Sequence, residues 1–228
     1  MKHVATGWES ELRIAIDDLV PTERLFALLK DFYREQTGTR IRLTMEVLGG
    51  CWDALLGGRA DLVIGAPGEA PPEGVLAVEP MGNFEFVFVV AADHALAARP
   101  EPLAAQEIAQ HRAIVTGDTS RNLPPRTSGL LNGQDTLTVP TMRAKVAAQI
   151  AGLGVGYLPL LWAAPHIAAG RLVRKQIEGT RALTHVYLAW HPRQAGKAHD
   201  WFLKRLRDKA VQQYVLGESG TYPATGLA

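Results

Sequence analysis

Leu12, Ile14 and Ile16 alternate with Arg13 and Ala15, a period of two that predicts a strand ending at Asp17 and Asp18. The period then lengthens. Leu25, Phe26, Leu28, Leu29, Phe32 and Tyr33 form an apolar stripe at helical spacing, with Pro21 and Glu23 suited to the first turn and Gly38 to the stop. Ile41, Leu43, Met45 and Val47 alternate again as a strand. Trp52, Leu55 and Leu56 mark a short helix stopped by Gly57 and Gly58, and Leu62 to Ile64 reads as a short buried strand. Strands alternating with helices imply parallel pairing through right-handed crossovers.

After Ile64 the pattern changes. GAPGEAPPEG, residues 65–74, is a turn-rich connection, and FEFVFVV, residues 84–90, is a strong strand read as the crossing into a second lobe. Beyond it come a small helix at 103–109, a strand at 113–115, the loop TGDTSRNLPPRTSG, a helix at 160–169 despite Pro165, and a strand at 183–190 returning to lobe one. A last helix, with Phe202, Leu206 and Ala210 spaced four apart, closes the first lobe. The expected division is 1–90 and 189–216 in lobe one and 91–188 in lobe two, with a fraying tail at 217–228.

One unit occurs twice: IRLTMEVLGGCWDALLGGRADLVIGA after Arg40, and QDTLTVPTMRAKVAAQIAGLGVGYLP from Gln134. Each copy is strand, small-residue turn, helix, Gly-bearing turn and buried strand. Each offers a helix N-terminus and a strand C-terminal end, whose unpaired backbone groups can hold a small molecule.

Composition narrows the possibilities. The 228 residues suffice for two compact α/β units. Lys plus Arg number 24 and Asp plus Glu 23, so there is no global field to neutralise a phosphate backbone, and no direct nucleic-acid contact is expected. The single Cys51 excludes an intrachain disulfide, the start MKHVATGWESEL lacks a secretory core, and no apolar run approaches the roughly 20 residues of a membrane span. A cytoplasmic location without membrane contact is expected. No metal-ligand cluster, Gly-x-Ser-x-Gly or phosphate loop occurs, so no metal, cofactor or catalytic residue is assigned. Gly152, Gly154 and Gly156 end a helix and enter a strand, the reverse of a dinucleotide loop.

GGRADLVIGA at 57–66, VVAADHALA at 89–97 and AAQIAGLGVGYLP at 147–159, in this order and spacing, resemble the effector-binding domain of LysR-type transcriptional regulators from about Leu12 to about Val215. The resemblance implies two Rossmann-like lobes joined by crossing strands, a fold like the type II periplasmic binding proteins, with a small-molecule effector in the cleft. It also implies homodimers, and tetramers of the complete protein. The family carries an N-terminal helix-turn-helix and a linker helix, and nothing before Leu12 encodes either. The chain is therefore expected to be a sensory domain separate from its DNA-binding module. A solute-binding protein for uptake and a small-molecule enzyme are the competing classes.

Asp17, Asp18 and Leu19 stand where the resembling family often places an effector-touching hydroxyl. The carboxylates either cap helix N–H groups or line a pocket favouring hydroxyl or amine donors. Gly49, Gly50 and Trp52 open the next helix, with Trp52 either core or ligand wall, and Gly65 and Ala66 end the following strand. Cys51 at a helix start has the position of a reactive thiol but no resolving partner. In lobe two, Thr116, Asp118, Ser120 and Arg121 cluster after a buried strand, where Arg121 is either solvated or an anion clamp. Thr141 caps a helix, contacts a ligand, or both, beside Met142. Gly156 and Tyr157 lie at the cleft edge or in the core. The effector is expected to be aromatic or hydroxylated.

Overall fold

The computed structural model describes residues 7–179 and 183–223. In chain order it contains β1 (Glu11–Asp17), a 3-10 turn (Thr22–Leu25), α1 (Phe26–Arg34), β2 (Arg40–Glu46), α2 (Gly50–Leu56), β3 (Leu62–Pro67) and β4 (Ala77–Phe84). Next come β5 (Phe86–Ala91), α3 (Ala105–Ala109), β6 (Ala113–Thr116), β7 (Thr136–Val139), α4 (Met142–Ile150), β8 (Gly156–Pro159), α5 (Leu160–Ala168) and β9 (Leu172–Lys175). The chain closes with β10 (Thr184–Trp190), α6 (Lys197–Leu206) and α7 (Lys209–Val215).

Two compact units emerge. The first comprises the described residues up to Asn83, Thr119–Pro124 and those from His185; the second comprises the described residues of Phe84–Asp118 and Pro125–Thr184. The boundary falls at Asn83 and Phe84 rather than at Val90, because β5 pairs on both edges inside unit 2.

Unit 1 is built on a sheet of order β2-β1-β3-β10-β4, with β1 parallel to β2 and β3 as the strand–helix alternation requires, and β10 antiparallel to β3. The pleat sends Ala15 and Val63 to one face, where they join Trp52, Ala54, Leu55 and Ala189 in a buried cluster under α2. Leu12, Ile14 and Ile16 point to the other face. Phe32 of α1 meets Phe202 of α6 at 4.9 Å between ring centroids, and Glu9 accepts the Ala198 and His199 N–H groups at the start of α6.

Unit 2 carries β5 between antiparallel β8 and β9, and a parallel β6–β7 pair joined to them through the Ala113–Val155 bridge. Gly156 sits where β8 passes β6. A Cβ there would lie 3.0 Å from Gln149 Nε2 and 3.3 Å from Ile114 O, at a φ of +154°.

Four expectations are corrected. The strand read at 84–90 is β5 from Phe86 onward, while Phe84 ends a further strand, β4, with Glu85 between them. β4 escaped notice because Pro80 and Gly82 break its alternation, which a sheet-edge position tolerates. β9, with the sequence LVRK, was also missed because it has no apolar–polar alternation. The last helix is two: Asp208 caps α7 by accepting the Ala210 N–H, and Ala210 is exposed instead of continuing the Phe202–Leu206 row. The tail is held as far as it is described. Arg24 donates to Ser219 O at 2.9 Å and Arg205 to the Tyr222 hydroxyl at 3.0 Å, while 224–228, the rest of the tail expected at 217–228, lies outside the described residues.

Candidate functional site

In unit 1 the C-terminal ends of β1 and β2 meet the start of α2. Asp17, ending β1, is 2% exposed. Its Oδ1 accepts the Leu19 N–H at 3.0 Å and its Oδ2 faces the Cys51 thiol at 3.8 Å. Burial pushes the Asp17 carboxyl well above the ordinary value; the Leu19 N–H opposes this and the Asp18 charge adds to it. Asp17 thus fastens its own turn to α2 rather than capping the following helix. Asp18 and Leu19 are buried beside it, and the Asp18 N–H donates to Glu46 O at 2.9 Å.

Gly49 and Gly50 bring the α2 N-terminus close to a segment from far along the chain. The Thr119 hydroxyl donates to Glu46 Oε2 at 2.5 Å and accepts the Val47 N–H at 2.9 Å. A Cβ on Gly50 would overlap that hydroxyl and lie 2.7 Å from Glu46 Oε2, so only glycine fits beneath Thr119. Asp53, 1% exposed on α2, accepts the Asn122 and Leu123 N–H groups at 2.8 and 2.9 Å. Arg59 bridges Asp53 at 2.6 Å and Glu46 at 3.3 Å. Burial raises the Asp53 carboxyl, but the Arg59 hydrogen bond and three backbone amides outweigh it and leave it at about 2.

In unit 2, β6 and β7 end together, with Thr116 opposite Val139, just before Thr141 opens α4. The Thr141 hydroxyl accepts the Ala144 N–H at 3.1 Å, which fulfils its capping role, and Met142 is buried behind it. Asp118 accepts the Arg126 N–H at 2.8 Å. Gly156 and Tyr157 line a cavity within this unit, and the Tyr157 ring meets Phe88 edge to face at 5.3 Å.

The structure therefore gathers Asp17, Asp18, Leu19, Gly49 and Gly50 at one end of unit 1, with Gly65 beside Asp17 and Val20. It gathers Thr116, Thr141 and Met142 at one end of unit 2. Trp52 and Ala66 are fully buried in the unit 1 core, where the Trp52 indole donates to Pro67 O at 2.9 Å. Ser120 and Arg121 belong to unit 1 instead of unit 2, and Arg121 is exposed. Glu46, Asp53, Arg59 and Thr119 were missed. Their one legible signal is Asp53, a lone carboxylate in an otherwise uncharged short helix.

The sequence matches the LysR substrate binding domain family over residues 5–211. It is 39% identical over 196 residues to the HTH-type transcriptional regulator YeeY of Escherichia coli, an alignment covering 86% of this chain and 63% of that protein. It is 33% identical to the E. coli HTH-type transcriptional regulator PunR over 226 residues, 99% of this chain and 73% of the relative. The fold matches the Synechocystis CcmR regulatory domain, solved in complex with 2-PG, with a TM-score of 0.65 at 19% identity over 90% of this chain and 98% of that one. That likeness gives the fold of the type II periplasmic binding proteins, and the chain belongs to the LysR substrate binding domain family.

Proposed function

We propose that this chain senses a small-molecule effector and biases an attached DNA-binding module, as part of a LysR-type transcriptional regulator. The observation that carries this reading is the family match across 5–211. Relatives that are HTH-type regulators and a CcmR regulatory domain solved with 2-PG support it. The effector-contacting groups are assigned to Asp17, Asp18, Leu19, Gly49, Gly50 and Gly65 in unit 1 and to Thr116, Thr141 and Met142 in unit 2. The chain acts by binding, without catalysis, in the cytoplasm.

The chemistry of the unit 1 end favours a hydroxylated effector over an anionic one. The carboxylates of Asp18 and Glu46 lie there with the buried Asp17 carboxyl, and the Thr119 hydroxyl donates to Glu46 while accepting a backbone N–H. A ligand hydroxyl can donate to a carboxylate in the same way. An effector that binds the two states of the domain unequally shifts their populations, which is the whole energetic basis of such sensing. Assembly is a homodimer formed side by side through unit 1, whose α1 leaves Phe26 and Tyr33 exposed and whose edge strand β2 leaves Met45 exposed, and a tetramer in the complete protein.

Calorimetric titration with polyols, hydroxylated aromatic compounds, amines and simple carboxylates tests the site. The expected result is saturable binding of a hydroxyl- or amine-bearing class, weakened at least tenfold by Thr141→Val. Preferential binding of simple carboxylates, untouched by that substitution, overturns the assignment.

A further inference from the structure

We infer that unit 2 contains a separate binding site for a small neutral aromatic molecule, distinct from the residues assigned above to the effector. The site is a cavity of about 190 Å³ between β5, β6, β8, α3 and the loop at 129–134. It is partly open to solvent, and its volume is comparable to that of an apolar cavity of about 150 Å³ that takes up benzene. This one has room for a phenol or an indole. It persists because Ala105 and Ala113 line it where larger side chains would fill it.

Its walls define the ligand class. Phe88, Leu103 and Val155 are almost wholly buried and form the floor, and the edge-to-face pair of Phe88 and Tyr157 offers a third ring the same kind of contact. Gln134, a polar residue of the wall, is already committed: its Nε2 donates to Ile108 O at 3.2 Å and His111 O at 2.9 Å, and its Oε1 accepts the Leu131 N–H at 3.2 Å. Those bonds pin the loop over the cavity. The Glu178 carboxylate at the lining disfavours an anion. In the neighbouring hollow, which shares Phe88, Tyr157 and Ile177, the cations are paired, Lys175 with Glu101 at 3.0 Å and Arg174 with Glu85 at 3.2 Å.

Titration calorimetry of the chain with phenol, indole and benzoate provides the test. We expect one saturable site per chain for phenol or indole, with benzoate at least tenfold weaker. Ala113→Leu, which fills the cavity, and Ala105→Leu, at an exposed position on its wall, should each weaken ring binding at least tenfold; Thr141→Val should leave it unchanged. If Ala113→Leu does not fold, Ala105→Leu decides. No saturable heat up to the solubility limit overturns the inference, as does ring binding that both cavity variants leave intact. Ring binding lost in Thr141→Val but kept in Ala105→Leu places the ring at the effector residues and overturns it too, while leaving the sensing reading standing.

Discussion

Leu123 donates its backbone N–H to the Asp53 carboxylate at 2.9 Å across seventy positions of sequence. With the Asn122 N–H on the same oxygen and Thr119 on Glu46, this fastens the segment 119–124 to unit 1, although the chain on either side of it belongs to unit 2. Asp53→Asn removes the charge that Arg59 and these amides stabilise. The expected cost is about 2 kcal/mol, read as a lower urea midpoint, together with faster amide hydrogen exchange at 119–124. Unchanged exchange there would show that Asp53 does not hold the segment.

Gly50→Ala places a methyl group against the Thr119 hydroxyl. Overpacking of this kind costs about 1–3 kcal/mol. Removing the hydroxyl relieves it, so Gly50→Ala is expected to cost less in a Thr119→Ala background, and a double-mutant cycle of unfolding free energies measures the coupling. Additive losses would contradict the close approach.

The Asp17 carboxyl has its folded pKa raised above the ordinary 3.8 by burial. Folding therefore takes up a proton at this site. Its contribution is fully present below the unfolded value and is lost as pH rises through the folded one. Asp17→Asn cannot ionise, so its stability, followed by urea unfolding from acid to neutral pH, should lack that decline.

Asp53 titrates in the opposite sense. Its folded value of about 2 lies below the ordinary 3.8, so the stability it contributes is present above the unfolded value and is lost as pH falls towards 2. Wild type is expected to lose stability in that window more steeply than Asp53→Asn. Parallel curves would remove the ionised carboxylate from the role given to it.

Phe26 and Tyr33 lie seven apart on α1, each 55% exposed, on the same side of the helix. Phe26→Glu with Tyr33→Glu should convert a dimer into a monomer in sedimentation at micromolar concentration, with the far-ultraviolet spectrum retained. A variant that still sediments as a dimer moves the interface away from α1.

Elements with an uninterrupted period were legible: Leu12, Ile14 and Ile16 of β1, and the second repeat around α4, fall where their patterns put them. Asp208 also carried a readable capping signal, but the four-residue spacing of Phe202, Leu206 and Ala210 masked the break it makes. The docking of 119–124 was not legible. It rests on backbone amides of Asn122 and Leu123, which have no side-chain signature, and on Asp53, whose partners lie about seventy positions away. Trp52 and Thr141 had two readings each; burial favours core for the first, and the hydrogen bond to Ala144 shows a cap in the second without removing its ligand role.

The most direct measurement of sensing is a thermal-shift titration of the chain against hydroxylated, amine, aromatic and carboxylate compounds, run in parallel on Thr141→Val. A ligand at about 100 times its dissociation constant adds roughly 2.7 kcal/mol to a folded state that alone binds it. The proposed function requires a saturable stabilisation by a hydroxyl- or amine-bearing class that is weakened in the variant. Small aromatic rings apart, which the unit 2 cavity binds alike in both proteins, no stabilisation by any class, or equal stabilisation of both proteins, would contradict an effector held at these helix starts.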